Sequence, residues 1–147
     1  MHQNIQGLGN KIEKLQVVLS EINSSIVVLS EHWQSSDQIK LINLENYLLC
    51  SSFCRNKNKH GGVSIFVNSN LKSADLPQIK EKSIVNVIEC SAIDILSINV
   101  VIIALYRPPS GDFYLFIDVL GDILSIVPNN RTVIVVEDFN VNFLVVS

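Results

Sequence analysis

A chain of 147 residues with 48% hydrophobic and 17% charged residues is long enough for one packed domain and too apolar for a disordered segment. Its longest apolar run, residues 100–105, falls far short of the ~18 residues that cross a bilayer, and the opening Met1-His2-Gln3-Asn4 is no basic-then-apolar leader, so the reading is an intracellular protein with no membrane partner. A net charge of −3 and a pI of about 5.5 exclude a grip on nucleic acid by bulk charge, which leaves phosphodiester chemistry to a metal and a local patch.

Residues 11–23 carry Ile12, Leu15, Val18, Leu19 and Ile22 at helical spacing, which predicts an amphipathic helix. The β-branched run 26–29 suits a buried strand. A short helix is expected to start near Ser35 or Ser36, with a hydroxyl cap and Asp37 in its first turn. Residues 47–52 and 63–67 read as strands on either side of a loop with Arg55, Lys57, Lys59 and His60, and Gly61-Gly62 marks a tight entry into the second. On charge pattern alone this basic cluster is equally a solvated loop without a partner. Residues 84–90 and 98–105 are predicted as the two arms of an antiparallel hairpin, with residues 94–97 between them.

Tyr106-Arg107-Pro108-Pro109-Ser110-Gly111 then stops the strand, because proline has no amide proton for the ladder. Phe113, Phe116, Val119, Leu120, Ile123, Leu124 and Val127 trace a second amphipathic helix, ended by Pro128-Asn129-Asn130. A buried strand over 132–136 runs into Glu137-Asp138-Phe139-Asn140, and the apolar tail 141–147 shows no packing partner. Alternating strands and helices argue for a layered α/β domain. The three cysteines, Cys50, Cys54 and Cys90, read as reduced thiols, and Cys50, Cys54 and His60 match no standard zinc spacing.

Polar residues stand just past apolar strands at four places: Asn4, Glu31, Tyr106 with Arg107, and Asp138 with Asn140. The carboxyl ends of strands are where α/β sheets bind ligands, and carboxylate and amide oxygens suit Mg²⁺ better than zinc. Singly, each has an ordinary explanation: a cap for Asn4, a surface acid for Glu31, a turn aspartate for Asp138.

Taken in order, Asn4-Ile5-Gln6-Gly7-Leu8, Leu29-Ser30-Glu31-His32-Trp33, Gly61-Gly62-Val63, Tyr106-Arg107-Pro108-Pro109-Ser110-Gly111 and Asp138-Phe139-Asn140 resemble the successive motifs of the endonuclease/exonuclease/phosphatase family. The Ser-Glu-His-Trp and Tyr-Arg-Pro-Pro-Ser-Gly segments are closest in flavour to the endonuclease domains of non-LTR retrotransposons. The resemblance implies a four-layer α/β/β/α sandwich over residues 1–147, a single partial domain incomplete at its C-terminus. It implies a hydrolase of DNA phosphodiesters that uses Mg²⁺ or Mn²⁺, with DNA as the partner and no protein partner assigned. Glu31 would be the principal metal ligand, and Asn4 would support the metal or the scissile phosphate. Tyr106 would contact the phosphate, Asp138 would orient or deprotonate the attacking water, and Asn140 would bond a phosphate oxygen, with Arg107 as a substrate contact. Asn4, Glu31, Asp138 and Asn140 are thus expected within roughly 4–8 Å of one another, with Tyr106 at the margin. His2 and His32 fit no catalytic slot of the family and are read as structural.

Two departures bear on activity. The family continues with a further metal-side acid and a final Ser-Asp-His-type segment, and neither occurs in this sequence. Glu137 stands where the family places glycine before Asp-Phe-Asn, adding bulk and negative charge beside a phosphate site. Strand alternation should turn it beside the cluster rather than into it. The expectation is a catalytically incomplete endonuclease domain. The alternatives are another phosphodiesterase or phosphatase of the superfamily, or a non-catalytic fragment with a binding role or none.

Overall fold

The computed structural model describes residues 1–56 and 60–140; the tail 141–147 and the basic-loop residues Lys57 and Lys59 lie outside the described residues. The first half of the chain runs β1 (His2–Asn4), α1 (Ile12–Ile22), β2 (Ile26–Ser30), α2 (Ser36–Lys40), β3 (Tyr47–Phe53) and β4 (Val63–Asn68). The second half runs β5 (Ser73–Asp75), α3 (Pro77–Lys80), β6 (Glu89–Ile95), β7 (Val100–Tyr106), α4 (Phe113–Ile126) and β8 (Thr132–Asp138). Each half forms one four-stranded mixed sheet, in the orders β1-β2-β4-β3 and β5-β6-β7-β8. The pairs β1–β2 and β7–β8 are parallel and the others antiparallel.

Strand alternation divides the apolar residues among three cores. Val28, Val63, Ile65 and Val67 of the first sheet face Ile93, Ile95, Ile102, Ala104 and Tyr106 of the second. On the outer face of the first sheet, Leu15 and Leu19 of α1 pack over Val27, Leu29 and Phe66. On the outer face of the second, Phe116, Val119 and Ile123 of α4 cover Cys90, Ala92, Val101, Ile103 and Leu105. The layers are therefore α/β/β/α, as the motif order implied. Each fully buried Leu, Ile or Phe in them contributes roughly 1.5–3 kcal/mol of transfer free energy.

The helical stripes are narrower than their sequence period suggests. Val18 and Ile22 of α1 remain 40% and 46% exposed, and Phe113 and Leu124 of α4 are both 43% exposed, so each helix touches its sheet through about two turns of one face. α2 starts as expected: the Ser35 hydroxyl accepts from the Gln38 amide at 3.2 Å and Gln38 Oε1 accepts from the Ser35 amide at 3.0 Å.

The predicted strand over 84–90 is corrected. Ile84 and Ile88 exchange backbone bonds of 2.8 and 2.9 Å around Asn86, whose φ of 66° closes a tight turn, and the strand begins only at Glu89. The antiparallel hairpin with β7 is present, turning over 96–99 rather than 94–97. Asp94, which suggested a turn, lies within β6 because Arg131 pairs with it at 2.9 Å. Among the described residues no helix is long and apolar enough to cross a membrane.

Candidate functional site

The two parallel strand pairs bring their carboxyl ends to one lip. In the first sheet Asn4 is registered with Ser30, and the Gly7 amide donates to the Glu31 carbonyl at 2.9 Å. In the second, Tyr106 is registered with Asp138. Where the lips meet, one side chain joins the sheets: Asn4 Nδ2 donates to Glu31 Oε1 at 2.7 Å and to Asp138 Oδ2 at 2.6 Å. Two oxygens bonded to one planar amide nitrogen stand roughly 4–5 Å apart. Residues separated by 134 positions in sequence thus share a single contact.

The backbone at this lip is held in uncommon conformations. Gln6, Glu31 and Trp33 have φ of 43°, 54° and 59°, in the left-handed region that non-glycine residues rarely occupy and that clusters at functional sites. The strain is met by packing: a Cβ on Gly7 would lie 2.8 Å from the Trp33 ring, so the indole needs glycine there. The indole Nε1 reaches Glu31 Oε2 at 3.4 Å, and the Trp33 ring meets the His60 ring edge-on at 4.4 Å.

Tyr106 is further inside the site than expected. It is 5% exposed, and its phenol lies close enough to Glu31 to feel that carboxylate. Burial, followed by the nearby Glu31 and Glu89 carboxylates, holds the phenol well above its ordinary pKa, so it remains a proton donor. The two histidines near the lip differ in their surroundings. His32 is fully buried, with Nε2 donating to the Phe53 carbonyl at 3.0 Å and Nδ1 accepting from the Gln34 amide at 3.0 Å. That pattern requires the neutral ring, and burial lowers its pKa to about 4. His2 reaches Ser30 Oγ at 3.3 Å; burial lowers its pKa while Asp138 opposes the shift.

Asn140 and Arg107 are bonded to one another's backbone. Asn140 Nδ2 donates to the Arg107 carbonyl at 2.9 Å. Arg107, expected as a substrate contact, is 6% exposed and stacks over Phe113 and Phe116. Its guanidinium donates to the carbonyls of Gly111, Phe139 and Asn140 at 2.5, 3.4 and 3.3 Å. It is a strut between the Pro-Pro turn and the end of β8, because the face of β7 it occupies is the helix-packed one. Glu137 follows strand alternation and avoids the contact. Both its carboxylate oxygens are buried without a hydrogen bond, and burial, with Asp138 adding to it and Arg107 opposing, pushes its pKa up to about 8.

Two site-bordering residues escaped the sequence reading, Arg55 and Glu89. Glu89 is fully buried opposite Tyr106 and pairs with Arg55 from the other sheet. In the sequence Arg55 belongs to a basic loop, and nothing local marks Glu89. Cys54 Sγ lies 4.0 Å from His32 Nε2, and among the described residues no three His, Cys, Asp or Glu gather.

No protein-family model matches the chain, and no curated protein matches it. Solved structures do. The endonuclease domain of TRAS1, a telomere-specific non-LTR retrotransposon, superposes with a TM-score of 0.69 at 14% identity, over 97% of this chain and 60% of that one. The 3′ phosphatase NExo from Neisseria, bound to product DNA hairpin, gives 0.64 at 16% identity, over 95% of this chain and 56% of that one. The AP endonuclease LMAP from Leishmania major gives 0.64 at 12% identity, over 93% and 53%. The chain has the endonuclease/exonuclease/phosphatase fold. It spans a little over half the length of these endonuclease/exonuclease/phosphatase structures.

The donor set fits Mg²⁺. That ion prefers hard oxygens, keeps several waters and is typically held by one or two carboxylates, and Glu31 and Asp138 are two carboxylates converging on one point. Asn4 turns its amide nitrogen toward both and its Oδ1 toward the Gln6 amide at 3.2 Å, which suits orienting the carboxylates better than ligating the metal itself.

Proposed function

We propose that this chain carries the metal-and-nucleophile side of a Mg²⁺-dependent phosphodiester hydrolase acting on DNA, of the non-LTR retrotransposon endonuclease type. The observation that carries the reading is the Asn4 amide nitrogen bonded at once to Glu31 and Asp138 from different sheets. Glu31 would hold Mg²⁺ or Mn²⁺, and Asn4 keeps its carboxylate aimed. When bound, the metal supplies positive charge for the phosphate and the leaving oxygen. Asp138 orients the attacking water and takes its proton, while Tyr106, which keeps its proton, donates a hydrogen bond to a phosphate oxygen beside Glu31. Asn140 and Arg107 brace the turn that carries Asp138. The NExo neighbour, bound to product DNA hairpin, supports DNA as the substrate class. NExo, a 3′ phosphatase, keeps a phosphatase of the same fold as the second reading.

A polypeptide of these 147 residues holds no Asp–His pair after Asp138 in its sequence. We infer that it binds metal and does not cut DNA by itself. The chain's single tryptophan reports on this directly, since its Nε1 lies 3.4 Å from Glu31 Oε2. Mn²⁺ should quench Trp33 fluorescence saturably, and Glu31→Gln should abolish the quench. Supercoiled plasmid should stay uncut with Mg²⁺, and a 3′-phosphorylated oligonucleotide should keep its phosphate. Mn²⁺ quenching that survives Glu31→Gln removes the metal assignment, and nicking that depends on Glu31 removes the inactivity.

A further inference from the structure

The two sheets meet largely through apolar side chains, and a buried ion pair ties them together away from the Asn4 contact. Glu89 opens β6 in the second sheet and is fully buried. Arg55, just past β3 of the first sheet, sends Nε to Glu89 Oε1 at 2.6 Å, with its Nη2 at the same oxygen. The other oxygen, Oε2, accepts the amide of Gly62 at 2.7 Å at the entry to β4. All of these groups are excluded from solvent, since the Arg55 side chain is 8% exposed and the Glu89 side chain not at all.

From this pair two routes lead to Glu31. Along the first, Glu89 is the cross-strand partner of Tyr106, whose buried phenol lies beside Glu31. Along the second, the Gly61-Gly62 turn is pinned by the pair, and the Gly61 carbonyl accepts the Trp33 amide at 3.0 Å, setting the indole that reaches Glu31 Oε2. The turn is shaped for this. A Cβ on Gly61 would collide with Arg55 Nε, and one on Gly62 would lie 2.5 Å from the His32 ring.

A buried ion pair is weak evidence of stabilisation: removing one partner costs about 3–5 kcal/mol, while replacing both with apolar residues is often neutral. Its other use is to fix one arrangement among several that an apolar interface tolerates. We propose that Arg55 and Glu89 form a positioning clamp that sets the separation of the two sheets at the cleft, so that Tyr106 and Trp33 both meet Glu31. The clamp's relevance to catalysis rests on Glu31 being the metal ligand, but the placement of Tyr106 does not.

The test uses the 147-residue chain with ¹³C-labelled tyrosine rings, the Tyr106 resonance being assigned with Tyr106→Phe. Glu31→Gln supplies the reference position of a phenol that has lost its carboxylate partner. In the charge-free double variant Arg55→Leu/Glu89→Leu, the buried Gly62 amide also loses its acceptor, so the chain should fold with a lowered melting temperature. Its Tyr106 resonance should move toward the Glu31→Gln position, and its Mn²⁺ affinity, read at Trp33, should fall by about tenfold. Arg55→Lys keeps the charge and the fold while losing the two-nitrogen contact, and should show an intermediate displacement if the double variant does not fold. A folded double variant, or Arg55→Lys in its place, with the parental Tyr106 resonance overturns the clamp. A parent that does not bind Mn²⁺ while Tyr106 still moves overturns the metal reading and leaves the clamp standing.

Discussion

Two buried ionisable groups make opposite demands on pH, and one substitution should separate them. His32 is held neutral, its pKa lowered from 6.5 to about 4 by burial. The unfolded chain therefore binds a proton more readily than the folded one between those values, and stability falls as pH drops from 6.5 to 4. Fully expressed, that linkage is worth about 3 kcal/mol. Glu137 works the other way. Its pKa rises from 4.5 to about 8, so the folded chain keeps a proton that the unfolded chain releases. Its contribution is complete below pH 4.5 and is lost as pH rises through 8. Unscreened, this would approach about 5 kcal/mol, but Glu137 lies on an edge strand and is only half-buried, and screening reduces the figure to about 1–2 kcal/mol.

Between pH 4.5 and 6.5 the two slopes oppose each other; between 6.5 and 8 the loss from Glu137 is opposed only by the N-terminal amine, whose pKa burial also lowers. The parent should therefore lose thermal stability across the alkaline interval. Glu137→Gln should flatten that decline, gaining about 1–2 kcal/mol at pH 8.5 and nothing at pH 5, with the acid limb unchanged because His32 still sets it. Circular-dichroism melts at constant ionic strength from pH 4 to 8.5 measure both limbs. A parent melting temperature that does not fall between pH 6.5 and 8.5, or a Glu137→Gln profile parallel to the parent's, refutes the assignment of Glu137 as a buried acid.

Two further outcomes follow from backbone and edge geometry. Gly62→Ala places a methyl 2.5 Å from the His32 ring at a φ of +90°, so urea unfolding should show a loss of about 2–4 kcal/mol. The edge strand β8 leaves Val133, Ile134 and Val135 37%, 46% and 39% exposed, an apolar edge of the kind that recruits other strands. The purified chain should bind a hydrophobic-surface dye and self-associate in sedimentation, and Val135→Lys should reduce both; a dye-silent monomer contradicts this.

Much of the molecule is legible from local pattern because local physics produces it. Apolar spacing places α1 and α4, and the Ser35–Gln38 box starts α2. Proline ends β7 at Tyr106, and the run before Glu137 is a strand because β-branched residues favour one. The same logic marks Asn4, Glu31, Tyr106 and Asp138, each a polar group at or just beyond an apolar strand end. The start of β6 is different. Ile84 to Ile88 has strand composition but closes a turn at Asn86, and Asp94 stays in the strand only because Arg131, far along the chain, pairs with it.

Sequence order by itself thus determined which residues form the elements and which polar groups stand at their ends, since propensity, capping and periodicity act over a few residues. Tertiary structure alone decided their company. It joined Asn4 to Asp138 across 134 positions, turned Arg107 under α4 instead of toward substrate, and buried Glu89 against Arg55 from the opposite sheet. Those outcomes depend on how two sheets face each other, and the burial and pairing that fix that arrangement exist only once distant strands have met.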